Sequence, residues 1–255
     1  MAKGGGSRGA PRKGRKDAAP RRLGGASAKP AKPKSAKPPQ RRAPQPSPQA
    51  PDAPALELPT SFVLGAVPGA TPGKWIDTWR ERMPHVELDL RPLAAADQRA
   101  ELAGGALDAA IVRLPIERDG LHVIPLYDEV AVVVVSKDSH LTAADELELS
   151  DLAGEIVITP ADDVLGLEIP DAVAPAFAPP ATTEEAIATV AAGVGAVIVP
   201  MSLARLHRRR DAASIPLRDG PISSVALAWP ADRTTPLVEA FVGIVRGRTA
   251  NSSRA

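Results

Sequence analysis

The chain has 255 residues, enough for one large domain or two small ones. It contains no cysteine, which excludes disulfides and thiol catalysis. A net charge of +1 conceals two unlike parts: residues 1–59 hold 14 Lys/Arg against 3 Asp/Glu, and the remainder holds 17 against 27.

Residues 1–59 also contain 12 of the 28 prolines and no aromatic residue, and their leucines are Leu23, Leu56 and Leu58. Such a segment cannot bury enough apolar surface to offset its ordering entropy, so disorder is expected. Within it, "AKPAKPKSAKPP" (28–39) is a low-complexity lysine–proline repeat. Lys29, Lys32, Lys34, Lys37, Arg41 and Arg42 are candidates for sequence-independent contact with nucleic-acid phosphates. No apolar run reaches the roughly 18 residues of a membrane helix. No apolar stretch follows the basic start, so a secretory signal is not expected and the reading is cytoplasmic.

Order is expected from residue 60. "SFVLGAV" (61–67) reads as a strand, followed by a helix over 72–83 with Pro72 in its first turn and Pro84 beyond its end. Trp75, Ile76, Trp79 and Met83 share one face of that helix. "HVELDLR" alternates as a strand, with Val86, Leu88 and Leu90 on one side. A helix over 95–103 follows. "LHVIPL" (121–126), "VAVVVV" (130–135) and "EIVIT" (155–159) are strand-like, and 160–180 resists assignment. Thr182 or Thr183 caps a helix with Glu184 and Glu185 in its first turn, which suits the helix dipole. Ser202 is expected to cap a helix through His207. Strands are expected over 213–217 and 222–229, then a last helix over 235–245 burying Leu237, Val238, Phe241 and Val245.

Two stretches share one build: "AELAGGALDAAIVRLP" (100–115) and "AIATVAAGVGAVIVPMS" (186–202). Each is an apolar-striped helix, a glycine stop (Gly104 and Gly105; Gly193 and Gly195) and a buried strand. The near-continuous apolar strands suit a parallel sheet covered on both faces. Open α/β sheets bind ligands at the carboxyl ends of their strands. Two such units suggest two lobes facing one cleft.

The string "FVLGAV…TPGKWIDTWRERMPHVELDLRP…" is followed, in order, by "GALDAAIVR", "PLYDE" and an apolar strand, "DSHL", "DLAG" and "VAAGVGAVIVP". Over 61–246 this resembles the effector (substrate-binding) domain of LysR-type transcriptional regulators. The resemblance implies an α/β, type II periplasmic-binding-protein-like fold, two α/β lobes joined by two crossover strands, preceded here by the disordered basic tail. The expected boundaries are 60–135 plus 229–247 for lobe I, 136–228 for lobe II, and a frayed 248–255. The crossovers would then lie near Val135–Ser136 and Ala228–Trp229. Members of that family begin with a winged helix-turn-helix. Residues 1–59 have too many prolines and no apolar periodicity for one, so operator reading is not carried over.

The resemblance also implies a small organic, anionic effector and a homodimer, or a heterodimer with a full-length relative. Thr71, in the loop before a helix N-terminus, is a candidate anion contact. Its plainer reading is an ordinary turn residue. Thr159, at a strand end, and Thr182 and Thr183, at a helix start, are further effector candidates; capping alone would explain the last two. Pro200 and Met201 end the second repeat strand, as contacts or as a simple connection. Arg113 ends the first, able to grip a carboxylate bidentately or to pair with an acid near "YDE". The loop "PLAAADQ" (92–98) offers alanines and then Asp97 and Gln98 where a polar contact would be expected. Trp75 and Trp79 are candidates for a dimer interface or for the core. "HRRR" (207–210) suits a solvated helix end as well as an anion patch. His85, His122, His140 and His207 show no metal spacing, and no hydrolase or nucleotide-binding motif is present, so no cofactor, metal or enzyme activity is expected. The rival to an effector sensor is a ligand-free dimerisation scaffold acting through its basic tail.

Overall fold

A computed structural model describes residues 60–247. The expected disordered tail, with Lys29, Lys32, Lys34, Lys37, Arg41 and Arg42, and the expected frayed end over 248–255 lie outside the described residues. Strand β1 (Ser61–Ala66) is followed by α1 (Gly73–Arg82), β2 (Glu87–Pro92), α2 (Gln98–Gly104), β3 (Ala109–Arg113), β4 (Leu121–Glu129) and β5 (Ala131–Ser136). Then come α3 (Thr183–Ala191), β6 (Ala196–Pro200), α4 (Met201–Leu206), β7 (Ala212–Pro216), β8 (Ser223–Pro230) and α5 (Pro236–Val245).

These strands form a five-stranded sheet ordered β2-β1-β3-β8-β4 and a three-stranded sheet ordered β6-β5-β7. In the first, β1 runs parallel to β2 and β3, and β8 lies antiparallel between β3 and β4. Strand periodicity puts Phe62, Leu64 and Ile111 on one face, where they meet Trp79 of α1 and Phe241 of α5. Ala110, Val112 and Ala226 on the other face meet Leu102 of α2. In the second sheet, Val132, Val134 and Val199 pack on Ile187 and Val190 of α3 and Leu203 of α4. Val133, Val135 and Ile198 face a second cluster with Leu147 and Leu152. Both sheets are therefore covered on both faces, which is why β3 and β6 read as unbroken apolar runs. The expectation of parallel pairing holds for β3 on β1 but not for β6, whose partner β5 is antiparallel.

The chain changes sheets earlier than the sequence suggested. Strand β5 belongs wholly to the second sheet and β8 wholly to the first. The crossings are thus Glu129 to Ala131 and Pro216 to Ser223, not Val135–Ser136 and Ala228–Trp229. The apolar run over 130–135 carries no mark of which sheet it joins. β4 extends through Glu129 by pairing with Ser223, so the turn comes at Val130.

Four local differences stand out. Residues 155–159 make isolated bridges, Ile156 with Val173 and Val157 with Ala196, and not a full strand. Pro160 follows at once and has no N–H to continue a ladder. Helix α4 starts at Met201 with Pro200 at its cap, so Ser202 sits inside the first turn and is free for other bonds. Gly105, at φ 80°, is the left-handed cap of α2, and Gly104 is still helical. Leu90 points outward on the edge strand β2 and is 44% exposed. Among the described residues no helix is long and apolar enough to cross a membrane.

Candidate functional site

Arg113 is the last residue of β3, at the carboxyl end of a central strand, and is 3% exposed. Its Nη1 donates to Glu129 Oε2 at 3.0 Å and to Ser223 Oγ at 2.6 Å. Its Nη2 donates to the Pro68 carbonyl and to Ser202 Oγ, both at 3.3 Å. Ser202 Oγ donates in turn to Glu129 Oε2 at 2.7 Å. Glu129 immediately precedes one sheet crossing, Ser223 follows the other, and Ser202 belongs to α4 of the second lobe. One guanidinium therefore ties both crossings and both lobes together. This is the ion pair with the "YDE" acid that the sequence offered as Arg113's alternative to a ligand. Gln98 completes the mount: its Nε2 donates to the Arg113 carbonyl at 2.8 Å, and its Oε1 accepts from the Arg113 N–H at 2.9 Å. Gln98 is thus a buried support for β3, not a polar wall of a cleft.

Beside this clasp, between the lobes, lies a cavity of about 460 Å³. The first lobe contributes the ends of β1 and β2 and the loop 94–96; the second contributes Asp162, Val164, the start of α3, and Leu203, Leu206 and His207. Thr183 is buried there, and its hydroxyl donates to Asp162 Oδ1 at 2.8 Å. Thr182 is the cap of α3: its Oγ1 accepts from the Glu185 N–H at 3.2 Å. The wall is largely apolar, with acids at Asp162 and Glu184, and the basic groups on it are Arg113 and His207. His207 Nδ1 lies 4.0 Å from Glu184 Oε2.

The remaining candidates fall elsewhere. Thr71 and Met201 line a neighbouring cavity of about 610 Å³ that is also walled by both lobes, with Tyr127 and Glu129 of the first and Ser202, Arg205 and Leu206 of the second; Leu206 lines both cavities. Thr159 and Pro160 line a crevice of about 10 Å³ with Leu165, Leu167 and Ile198 of the second lobe. Pro200 is buried at the end of β6, opposite Ala131. Trp79 is fully buried, stacked on Phe62 at 4.8 Å, with its Nε1 donating to the Val86 carbonyl at 3.1 Å. It is a core residue and presents no surface to a partner, which corrects its assignment to an interface. Trp75 is half-buried at the edge of the same cluster.

Burial and the neighbouring Glu129 carboxylate push the Tyr127 phenol above its ordinary 10.0, against a smaller opposing pull from Arg113. It is the single tyrosine of the chain, so a near-ultraviolet titration reads it alone. The midpoint is expected above 10. The folded state holds this proton more tightly than the unfolded state. The stability from that difference is therefore complete below the ordinary pKa and is lost as pH rises through the folded value. A midpoint at or below the ordinary value would mean that the phenol is neither desolvated nor set near Glu129 as described.

A family model described as LysR substrate binding domain matches residues 60–250. The chain belongs to this family. It is similar to the HTH-type transcriptional regulator AlsR of Bacillus subtilis (strain 168), 25% identical over 181 residues that cover 65% of this chain and 58% of AlsR. It is also similar to the HTH-type transcriptional regulator CatR of Pseudomonas putida, 30% identical over 170 residues covering 63% and 58%. The match thus takes in 58% of the length of either regulator. Among solved structures, the BenM effector-binding domain with its effector benzoate superposes with a TM-score of 0.62 at 20% identity, over 76% of this chain and 94% of BenM's. These neighbours have the type II periplasmic-binding-protein-like fold, so the two sheets of this LysR domain are the two expected lobes.

Within the LysR domain, the sequence reading missed the cleft residues Asp162, Val164, Glu184, Leu203, Leu206 and His207. Asp162 lies in the stretch 160–180, which has no periodicity to place it. Its role is set by the hydroxyl of Thr183, 21 residues away. Ser202 and Ser223 were equally invisible as clasp members, because their partner approaches from another strand.

Proposed function

We propose that this LysR domain senses a small organic molecule held between its two lobes, in a cytoplasmic protein that takes part in transcription regulation. The observation that carries the reading is the cavity of about 460 Å³ at the strand ends, walled by both lobes. A molecule in contact with both walls favours one lobe arrangement over another, which is what a sensor requires. The names of AlsR and CatR as transcriptional regulators, and benzoate named as the effector of BenM, support it. Arg113 serves in this account as the clasp beneath the cleft, and Thr182 and Thr183 as its polar edge. Pairing with a second copy or with a full-length relative would bring the sensor to an operator. The second reading, a ligand-free scaffold, is favoured by the alanines over 94–96 on the cleft wall.

A thermal-shift screen of small organic molecules separates these readings. A ligand at 100 times its Kd adds about 2.7 kcal/mol to stability. Thr183→Ala is expected to weaken such a ligand by roughly 1 kcal/mol through its hydrogen bonds. If no compound shifts the transition, the scaffold reading takes over.

The basic segment adds a second proposal: residues 1–59 bind nucleic acid through phosphates and without reading sequence. They carry +11 and no aromatic side chain to stack on a base, whereas the remaining residues carry −10. Affinity for a random duplex is expected to fall by roughly 10³ to 10⁵ between about 50 and 200 mM salt, given 6–10 phosphate contacts. Deleting residues 1–59 should abolish it. Retained preference for one promoter after that deletion would overturn the proposal.

A further inference from the structure

We propose that the cleft takes an organic cation, an amine with an apolar body, and not the carboxylate that the family resemblance implied. The inference rests on the sensing role above and names the chemistry of its ligand. A carboxylate needs a cation with donors to spare. Both Nη atoms of Arg113 are already engaged: they serve four oxygens, and its charge is balanced by Glu129 at 3.0 Å. The other basic group on the wall, His207, has its Nδ1 4.0 Å from Glu184 Oε2.

The start of α3 would ordinarily attract an anion. Here the protein's own acids stand beside that place. Asp162 accepts the Thr183 hydroxyl, Glu184 stands in the first turn, and the Thr182 side chain takes the Glu185 N–H. A ligand carboxylate would lie beside two like charges, with apolar side chains such as Val164 and Leu203 on the remaining walls. An ammonium meets the opposite situation. Asp162 keeps lone pairs unused by Thr183, and it presents them at the cavity wall. The Thr183 hydroxyl has spent its proton on Asp162, so toward a ligand it can only accept. Asp162 and the Thr183 hydroxyl are therefore both acceptors toward a ligand, and the alanines over 94–96 with Leu206 offer apolar surface for the rest of the molecule.

Calorimetric titration of the full chain at neutral pH with matched triplets tests this: benzylamine, benzyl alcohol and benzoate, then phenethylamine, its alcohol and phenylacetate, then cyclohexylmethylamine and its two counterparts. The amine of at least one triplet is expected to bind 10-fold or more tightly than its carboxylate, with the alcohol between them. Asp162→Asn should remove that preference. Glu184→Gln, at a side chain 77% exposed and so harmless to folding, should reduce it several-fold. A carboxylate that binds as well as its amine, and is weakened by Thr183→Ala, overturns the cation assignment and leaves the sensing role standing. Amine binding unchanged in both acid variants overturns it as well. Binding by no member of any triplet overturns the cation assignment and counts against sensing itself.

Discussion

Replacing Arg113 with methionine is expected to lower the stability of the folded domain by about 3–5 kcal/mol in urea unfolding, because it leaves Glu129 buried without its cation. The pair is shielded on both sides, with side-chain exposures of 3% and 9%. Ser202 and Ser223 would lose a partner at the same time. Since a domain's whole stability is commonly 5–15 kcal/mol, a loss of this size is readily measured. The double variant Arg113→Met, Glu129→Leu should recover most of it, because an apolar pair of similar volume avoids burying an unpaired charge. An exposed ion pair is the internal control. Arg80 and Asp77, each 71% exposed, should contribute no more than about 1 kcal/mol. If Arg113→Met costs as little as breaking that surface pair, the clasp does not hold the two crossings together.

Trp79→Ala is expected to cost about 3–5 kcal/mol, the range for an aromatic side chain cut from a core. Trp79 joins α1 to both β1 and α5, through Phe62 at 4.8 Å and Phe241 at 5.9 Å. Trp75→Ala, on the half-buried side of the same helix, should cost clearly less. Paired urea melts at two protein concentrations decide the matter. A core residue lowers the midpoint equally at both. If Trp79→Ala instead leaves the midpoint unchanged and dissociates an oligomer, α1 lies differently from the arrangement described.

The lobes were legible because their signals are local. The apolar runs of β3 and β6, the left-handed Gly105 after α2, and Thr182 and Thr235 as side-chain caps of α3 and α5 are each written within a few residues. The crossings were not, because sheet membership is decided by partners far along the chain: Glu129 opposite Ser223, and Val132 opposite Pro216. The site shows the same division. Arg113 at a strand end was conspicuous, and so was its choice between a ligand and an acid. What settles that choice is the convergence of Pro68, Ser202 and Ser223 on one guanidinium, and their spacing in sequence carries no period. Thr71 and Thr183 both precede or begin helices and read alike, yet they line different cavities. Asp162 had no signal at all, although it lines the cleft and accepts the Thr183 hydroxyl.

Amide hydrogen exchange of the full chain, with and without the tightest-binding compound of the matched triplets, tests the sensing cleft most directly. The bound molecule is expected to slow exchange in both lobes at once, over 93–98 in the first and over 161–164 and 182–187 in the second. Slowing confined to one lobe would contradict a ligand held between them; slowing centred on Thr71, Tyr127 and Met201 would move it to the neighbouring cavity.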